Sequence, residues 1–399
     1  MFKKMRTATK NAFMLGGMCC LSYLAVYIAR NVLGAVSPSL IENGLFTEKQ
    51  IGNLSSVYFI AYAIGQLING IIGDKIKAKY MISIGLALAG VSGIVFVPLA
   101  SFPLAATIIY AFTGFLLSMI YAPMTKVVAE NTEPIHAERT SIGYTFASFL
   151  GSPSAGLLAG FLAWHGVFNT SGIILIIMGL ACFISFTLFE KKKIIQYNLY
   201  KRTKAEGGSI SVLFKRKIVK FTVVSIITGV VRTTVVFWMP TYFTQHLGFT
   251  PEQSAKIFAA GTLVISFSAI IALFIYERCK RNINTVLLGS FLISAIFFLL
   301  LFVVKSPTLN IIVFIISVMA SNCAATMLWS VYCPSLKDTG VVSSATGFLD
   351  FASYCAAAVS TVLFANAVET IGWANLILIW FALMVVGILV SIPLKEKSK

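Results

Sequence analysis

Three ionisable side chains stand deep inside long apolar stretches of this sequence: Arg30, Arg232 and Asp350. A guanidinium in the middle of a bilayer-length segment costs at least ~2.5–3.5 kcal/mol to insert, so it must face a partner or a wet cavity. Neutralisation by acids or carbonyls for packing alone is the plainer explanation. It falls short because a single carboxylate cannot answer two arginines. The excess positive charge points to a ligand that brings negative charge. The fork of donors on a guanidinium matches such an oxyanion.

The neighbours share helical faces with these charges. Tyr23 and Tyr27 precede Arg30 by seven and three residues, so all three line one face. Tyr62 and Gln66 are four apart, as are Asp350 and Tyr354. Tyrosines commonly anchor membrane–water interfaces, but these lie in mid-segment, where each hydroxyl needs a ligand or a helix–helix hydrogen bond. Asp350 has two readings, a proton carrier or the counter-charge of an arginine while the site is empty. The second is favoured, because anion exchange needs no proton. Lys126 lies near a segment end, where its stem can snorkel. His136, His165 and His246 fall near loops and read as surface histidines.

No Ser/His/Asp constellation marks a reaction centre, and no GxxxxGK[ST] loop is present. The chain reads as a non-enzyme. Its seven cysteines show neither CxxC nor Cys/His spacing, so no metal, cofactor or disulfide is expected.

The elements that must hold these residues follow from composition. Of 399 residues, 58% are hydrophobic and 11% charged, with a mean hydropathy of +0.89; soluble domains carry about 25% charged residues. A soluble enzyme, a secreted disulfide scaffold and a disordered chain are thereby excluded. Breaks at Gly, Pro and charged residues leave twelve apolar segments near 12–35, 51–72, 79–99, 104–128, 140–163, 167–189, 217–245, 253–276, 284–304, 308–333, 342–366 and 372–394. Each approaches the ~20 residues that cross a bilayer. The predicted fold is an all-α polytopic membrane protein with twelve transmembrane helices in two pseudo-symmetric six-helix bundles. The bundles comprise residues 1–189 and 217–399, joined by a basic linker, 190–216.

The formal charge of +17 is unevenly placed. Lys3, Lys4 and Arg6 precede the first segment, Lys395, Lys397 and Lys399 follow the last, and Lys201, Arg202 and Lys204 lie in the linker. Lys75, Lys77 and Lys79 fill one short loop; Arg278, Lys280 and Arg281 fill another. Alternate loops hold few bases. This asymmetry places both termini and the linker on the cytoplasmic side of the cell membrane. A topology signal near anionic lipid accounts for the charge better than nucleic-acid binding, for which no aromatic-interleaved basic module exists. The first apolar run is too long for a signal-peptide core and reads as a retained span.

The halves repeat. Pro38 follows Arg30 by eight residues and Pro240 follows Arg232 by eight. Phe46-Thr47-Glu48-Lys49-Gln50 recurs as Phe249-Thr250-Pro251-Glu252-Gln253, and Asp74-Lys75 and Glu277-Arg278 each open a basic loop. The offset is 202 at the arginines and 203 afterwards. Parallel repeats of this kind carry a ligand site near the membrane midplane. The echoed acid–base loops suggest a cytoplasmic gate built from Asp74, Lys75, Glu277 and Arg278.

Gly70, Asp74 and Lys75 resemble the loop signature of the major facilitator superfamily, with Lys77-Ala78 replacing its usual Gly-Arg. Tyr27-Ile28-Ala29-Arg30-Asn31 with Pro38 resembles the organophosphate:phosphate antiporters, a group that includes glycerol-3-phosphate and hexose-phosphate transporters. Arg232 with Trp238-Met239-Pro240-Thr241-Tyr242, Ala122-Pro123 with Lys126, and Gly347-Phe348 with Tyr354 extend the likeness. The resemblance implies a monomeric exchanger with Arg30 and Arg232 clamping phosphate and Tyr23, Tyr27, Tyr62 and Tyr354 lining the pocket. Its partners would be a small anionic substrate and the lipid bilayer.

Three positions depart from the glycerol-phosphate pattern. Gln66 replaces a lysine, Leu150 a histidine, and Asp350 a small residue. Less positive charge and an added acid shift the expected substrate to a sugar phosphate, a phosphonate, a carboxylate or an amine-bearing anion. The expected function is secondary transport of a small organic anion, phosphorylated or phosphonate, in exchange for inorganic phosphate. The alternatives are a proton- or sodium-coupled symporter, with Asp350 as the coupling site, and a membrane sensor of a phosphorylated metabolite.

Overall fold

The computed structural model describes residues 7–197, 209–249 and 251–392. The terminal bases Lys3, Lys4, Arg6, Lys395, Lys397 and Lys399, the linker bases Lys201, Arg202 and Lys204, and Thr250 lie outside the described residues. Every regular element among the described residues is helical. The chain opens with α1 (Thr7–Glu42), α2 (Glu48–Gly73), α3 (Ala78–Leu99) and α4 (Pro103–Asn131), continues through α5 (Pro134–Phe149), α6 (Gly151–Phe161) and α7 (Trp164–Lys191), and reaches α8 (Ser209–Lys215). Then follow α9 (Ile218–Gly229), α10 (Val236–Gln245), α11 (Pro251–Ser266), α12 (Ser268–Arg278), α13 (Ile283–Val303), α14 (Pro307–Thr326), the single turn α15 (Cys333–Ser335) and α16 (Val342–Ser391).

Ten helices among the described residues are long and apolar enough to cross a membrane, and they match ten of the anticipated segments. The other two segments take different forms. The fifth is split into α5 and α6 at Leu150, and the eleventh is the first part of α16, which is broken at Gly372, where φ is 76°. Pro153 explains part of the split, since its missing N–H cannot reach back one turn.

Gly151 shows what the split achieves. A Cβ there would lie 2.6 Å from the Tyr27 carbonyl carbon, so only glycine lets the fifth segment lie directly on the first beside Arg30.

Contacts divide the chain into two compact units, Met1–Arg216 with Cys333–Phe351, and Lys217–Tyr332 with Ala352–Lys399. The first turns of α16 thus group with the first unit rather than following the six-and-six division. Gly70 and Gly347 account for this. A Cβ on Gly70 would come within 2.9 Å of the Ser343 carbonyl oxygen and 3.0 Å of the Gly347 Cα, and one on Gly347 would collide with the Gln66 carbonyl oxygen. The backbones of α2 and α16 touch.

Local chemistry sets the helix ends. Thr47 caps α2: its hydroxyl accepts from the Gln50 N–H at 3.3 Å, and the Gln50 Oε1 accepts from the Thr47 N–H at 2.8 Å. This reciprocal pair is a capping box. In the second repeat α11 starts at Pro251, a residue suited to the first helical position. The repeated Phe-Thr stretch therefore encodes a helix start. Asn282 caps α13 through its side-chain oxygen, accepting from the N–H groups of Asn284 at 3.0 Å and Thr285 at 3.3 Å.

Candidate functional site

In the first unit, α1 carries Arg30 into a box of rings. Its guanidinium carbon lies 5.1 Å from the Tyr27 and Phe59 ring centres and 5.2 Å from that of Tyr62. Tyr27 is three residues back on α1, while Phe59 and Tyr62 share a face of α2. Each ring presents its negative π-face to the cation, an attraction of ~0.5–2 kcal/mol depending on desolvation.

The box is itself braced. Tyr23 meets Tyr27 edge-on at 5.0 Å and stacks on Tyr121 at 5.2 Å, and Tyr62 stacks on Tyr58 at 6.2 Å. Asp350, 4% exposed, lies within electrostatic reach of Tyr23. Gln66, one turn beyond Tyr62, is wholly buried, and among the described residues neither end of its amide has a hydrogen-bond partner. An orphaned buried polar group costs ~1–3 kcal/mol, which a bound ligand would relieve.

In the second unit Arg232 sits on a different backbone. Residues Val230–Val235 form a π-turn between α9 and α10, and Arg232 is the third of them. Such turns are rare insertions, frequent at functional sites. The turn is fastened to α16, where the Thr234 hydroxyl donates to the Ala357 carbonyl at 3.1 Å and meets the Ser360 hydroxyl at 2.9 Å. Arg232 lies 6.0 Å from the Trp329 ring centre. Trp329 rides on a second π-turn, Met327–Tyr332, where Pro334 removes the N–H that would reach back to Ser330. Tyr354, one turn after Asp350 on α16, is buried in this unit.

The loop after α2 holds a second arrangement. The Asp74 carboxylate, 2% exposed, accepts the N–H of Ser343 at 3.1 Å and the N–H of Ser344 at 2.9 Å, and also the Ser344 hydroxyl. These are first-turn donors of α16, where helix dipole and unpaired N–H groups favour an anion. Lys126 lies 3.7 Å from the same carboxylate and donates to the Asp74 carbonyl at 2.9 Å. Lys75 points to solvent. In the echo of this loop Glu277 and Arg278 are exposed, and Arg278 covers Phe274 of its own helix at 5.0 Å.

The structure thus brings Arg30 together with Tyr27, Tyr62 and, through Tyr27, Tyr23. It sets Asp74 on a helix start and leaves Lys75, Glu277 and Arg278 on the surface. Two ring partners were missed from the sequence. Phe59 was readable, because it precedes Tyr62 by three residues on the same helical face. Trp329 had no such signal, since its place depends on a π-turn that shifts the helical register. Among the described residues no group of His, Cys, Asp or Glu is arranged to hold a metal ion.

Comparison with known proteins places these features in a family. The profile of the Major Facilitator Superfamily matches residues 19–361. The chain is 33% identical over 76 residues to the membrane sensor protein UhpC of Salmonella typhimurium, covering 19% of this chain and 17% of that one. It is 23% identical over 257 residues to the glycerol-3-phosphate transporter of Bacillus subtilis, covering 59% and 58%. The matched stretches therefore span less than two thirds of these relatives. In fold, the proton:xylose symporter XylE bound to 6-bromo-6-deoxy-D-glucose superposes with a TM-score of 0.74 at 14% identity, over 96% of this chain and 95% of that one. With a profile match over most of its length and a matching helical architecture, this chain belongs to the Major Facilitator Superfamily.

Proposed function

We propose that the protein is a secondary transporter that moves a small organic anion, phosphorylated or phosphonate, in exchange for inorganic phosphate by alternating access. The observation that carries this reading is the pair Arg30 and Arg232, duplicated at an offset of 202, with Arg30 set against three aromatic rings and Arg232 against Trp329. One arginine from each repeat meets the substrate's charge; Tyr23, Tyr27, Tyr62, Gln66, Asp350 and Tyr354 contact the remainder. The orphaned amide of Gln66 supports a ligand with polar groups. Bound anion offsets the repulsion between the arginines, so the empty carrier resists reorientation and exchange becomes obligatory. Asp74 with Lys75, and Glu277 with Arg278, serve as the cytoplasmic gate. Both termini and the 190–216 linker face the cytoplasm, and the six-helix bundles 1–189 and 217–399 act as a monomer in the plasma membrane.

Counterflow in proteoliposomes loaded with phosphate tests the reading. Labelled phosphate should exchange for external phosphate or organophosphate and stay inside when no external anion is present. Brisk net efflux without external anion would overturn exchange. Arg30→Ala and Arg232→Ala should each abolish both uptake and the thermal stabilisation given by phosphate.

The burial of Asp350 favours one competing reading, cation-coupled symport. Asp350→Asn separates the two: proton- or sodium-driven accumulation lost while exchange persists would establish coupling. Ligand binding with no uptake at all would point to a sensor.

A further inference from the structure

Where α3 begins and α7 ends, the first unit has a shallow cleft of about 510 Å³ lined by Lys77, Glu190, Lys191, Ile195 and Tyr197. Glu190 is shared, with Lys77 Nζ donating to one carboxylate oxygen at 3.1 Å and Lys79 Nζ donating to the other. The Lys77 ammonium, 48% exposed, also sits 5.1 Å above the Tyr197 ring centre. Three lysines against one carboxylate leave a local excess of two positive charges. Lys75, Lys192 and Lys193, near these residues in sequence, are exposed as well.

The cleft is held in shape. Lys193 adopts a left-handed φ of 56°, and the buried Ile194 returns its N–H to the Phe189 carbonyl at 2.8 Å. Burial pushes the Tyr197 phenol above its usual range, so its O–H, already protonated at neutral pH, is a donor there. Its oxygen accepts the Lys79 N–H at 3.4 Å, leaving its own O–H for an outside acceptor.

A basic cleft alone would suit any phosphate. This one continues into apolar surface: Tyr80, Ile84 and Leu88 form a four-spaced exposed row on α3, and Ile184 and Leu188 form another on α7. Tyr80 and Phe183 bridge the two rows with ring centres 6.3 Å apart. Positive charge at one end and an apolar furrow along two packed helices match the two ends of a lipid. Basic pockets between transmembrane helices on the cytoplasmic side are suited to anionic headgroups. We propose that this cleft binds the phosphate of an anionic phospholipid, with Lys77 and Lys191 holding the headgroup and the acyl chains lying along α3 and α7.

The test uses the purified full-length chain in neutral detergent, titrated with dioleoylphosphatidylglycerol or dioleoylphosphatidylcholine. Bound lipid is counted by native mass spectrometry, alongside the melting temperature. Phosphatidylglycerol should be retained about tenfold more strongly than phosphatidylcholine and should raise the melting temperature. Lys77→Gln/Lys191→Gln should erase that preference, while Lys280→Gln/Arg281→Gln should preserve it. Equal retention of the two lipids, or an unchanged preference in the first double variant, would overturn the proposal. Glycerophosphoglycerol, the headgroup without acyl chains, should not compete for the cleft at lipid-matched concentration; full competition would assign the site to a free organophosphate and overturn it as well. Arg30→Ala should keep the lipid preference, so failure here is distinguishable from failure of the anion-exchange reading.

Discussion

Arg30 and Arg232 hold equivalent places in the repeat, yet their helices carry them differently. Arg30 rises from the regular helix α1 and has three rings within 5.1–5.2 Å. Arg232 rises from a π-turn and has Trp329 at 6.0 Å. A planar guanidinium packed among three ring faces has few orientations open to it. A guanidinium on an inserted turn has a backbone with an alternative register a short step away. The duplication therefore preserved the charge and diverged in how firmly it is held. Under the proposed exchange this difference would suit a division of labour, in which the first repeat would fix the anion and the second would adjust to it.

Lysine substitution is the sharpest way to break that comparison. Lysine keeps the charge and loses both the planar stack and the donor fork. At Arg30 the loss falls on three rings, each contributing ~0.5–1 kcal/mol, so exchange by Arg30→Lys should drop ~10–100-fold. At Arg232 the same change acts on a longer ring contact, that to Trp329 at 6.0 Å, and the part of the loss that comes from ring contacts should be smaller. Initial rates of phosphate counterflow, normalised to reconstituted protein, check both. Equal losses would remove the distinction between a fixed and an adjustable arginine.

A second contrast is smaller and lies at the membrane-edge loops. Asp74 satisfies first-turn donors of α16 while buried, whereas Glu277 in the echoed loop is exposed. Hydrogen bonds to a charged group contribute about 1.5–3 kcal/mol, so Asp74→Asn should lower stability by roughly that amount. Glu277→Gln, on an exposed helix end, should stay within about 0.5 kcal/mol of the parent. Unfolding of both variants in the same detergent measures the difference. Equivalent effects would mean that the two loops do the same work despite their different burial.

Much of this was legible in the sequence, for identifiable reasons. Ten of the membrane-spanning segments and the burial of Asp350 follow from hydropathy and spacing, which the bilayer enforces strongly. The face shared by Tyr23, Tyr27 and Arg30 follows from helical periodicity. The Trp329 contact and the Asp74 cap were not legible as pairs. One depends on a π-turn that breaks the periodicity, the other on packing between segments far apart in sequence. The split at Leu150 was missed because Pro153 and Gly151 look tolerable in an apolar run until α1 is placed against them.

The repeated Phe-Thr stretch makes the smallest and most discriminating prediction. Its recurrence 203 residues later invites a functional reading, yet Thr47 and Gln50 spend their polar groups on each other's backbone at the start of α2. If the recurrence records only a shared way of starting a helix, Thr47→Ala should cost about 0.5–2 kcal/mol of stability. Phosphate counterflow per folded molecule should then be unchanged, because the cap's polar groups are already spent on the backbone of α2. Thr47→Ser, which keeps the acceptor oxygen, should restore the stability. A loss of exchange in Thr47→Ala at full folded yield, unrepaired by serine, would show that this loop takes part in the transport cycle, and the repeat would then have conserved more than its two charges.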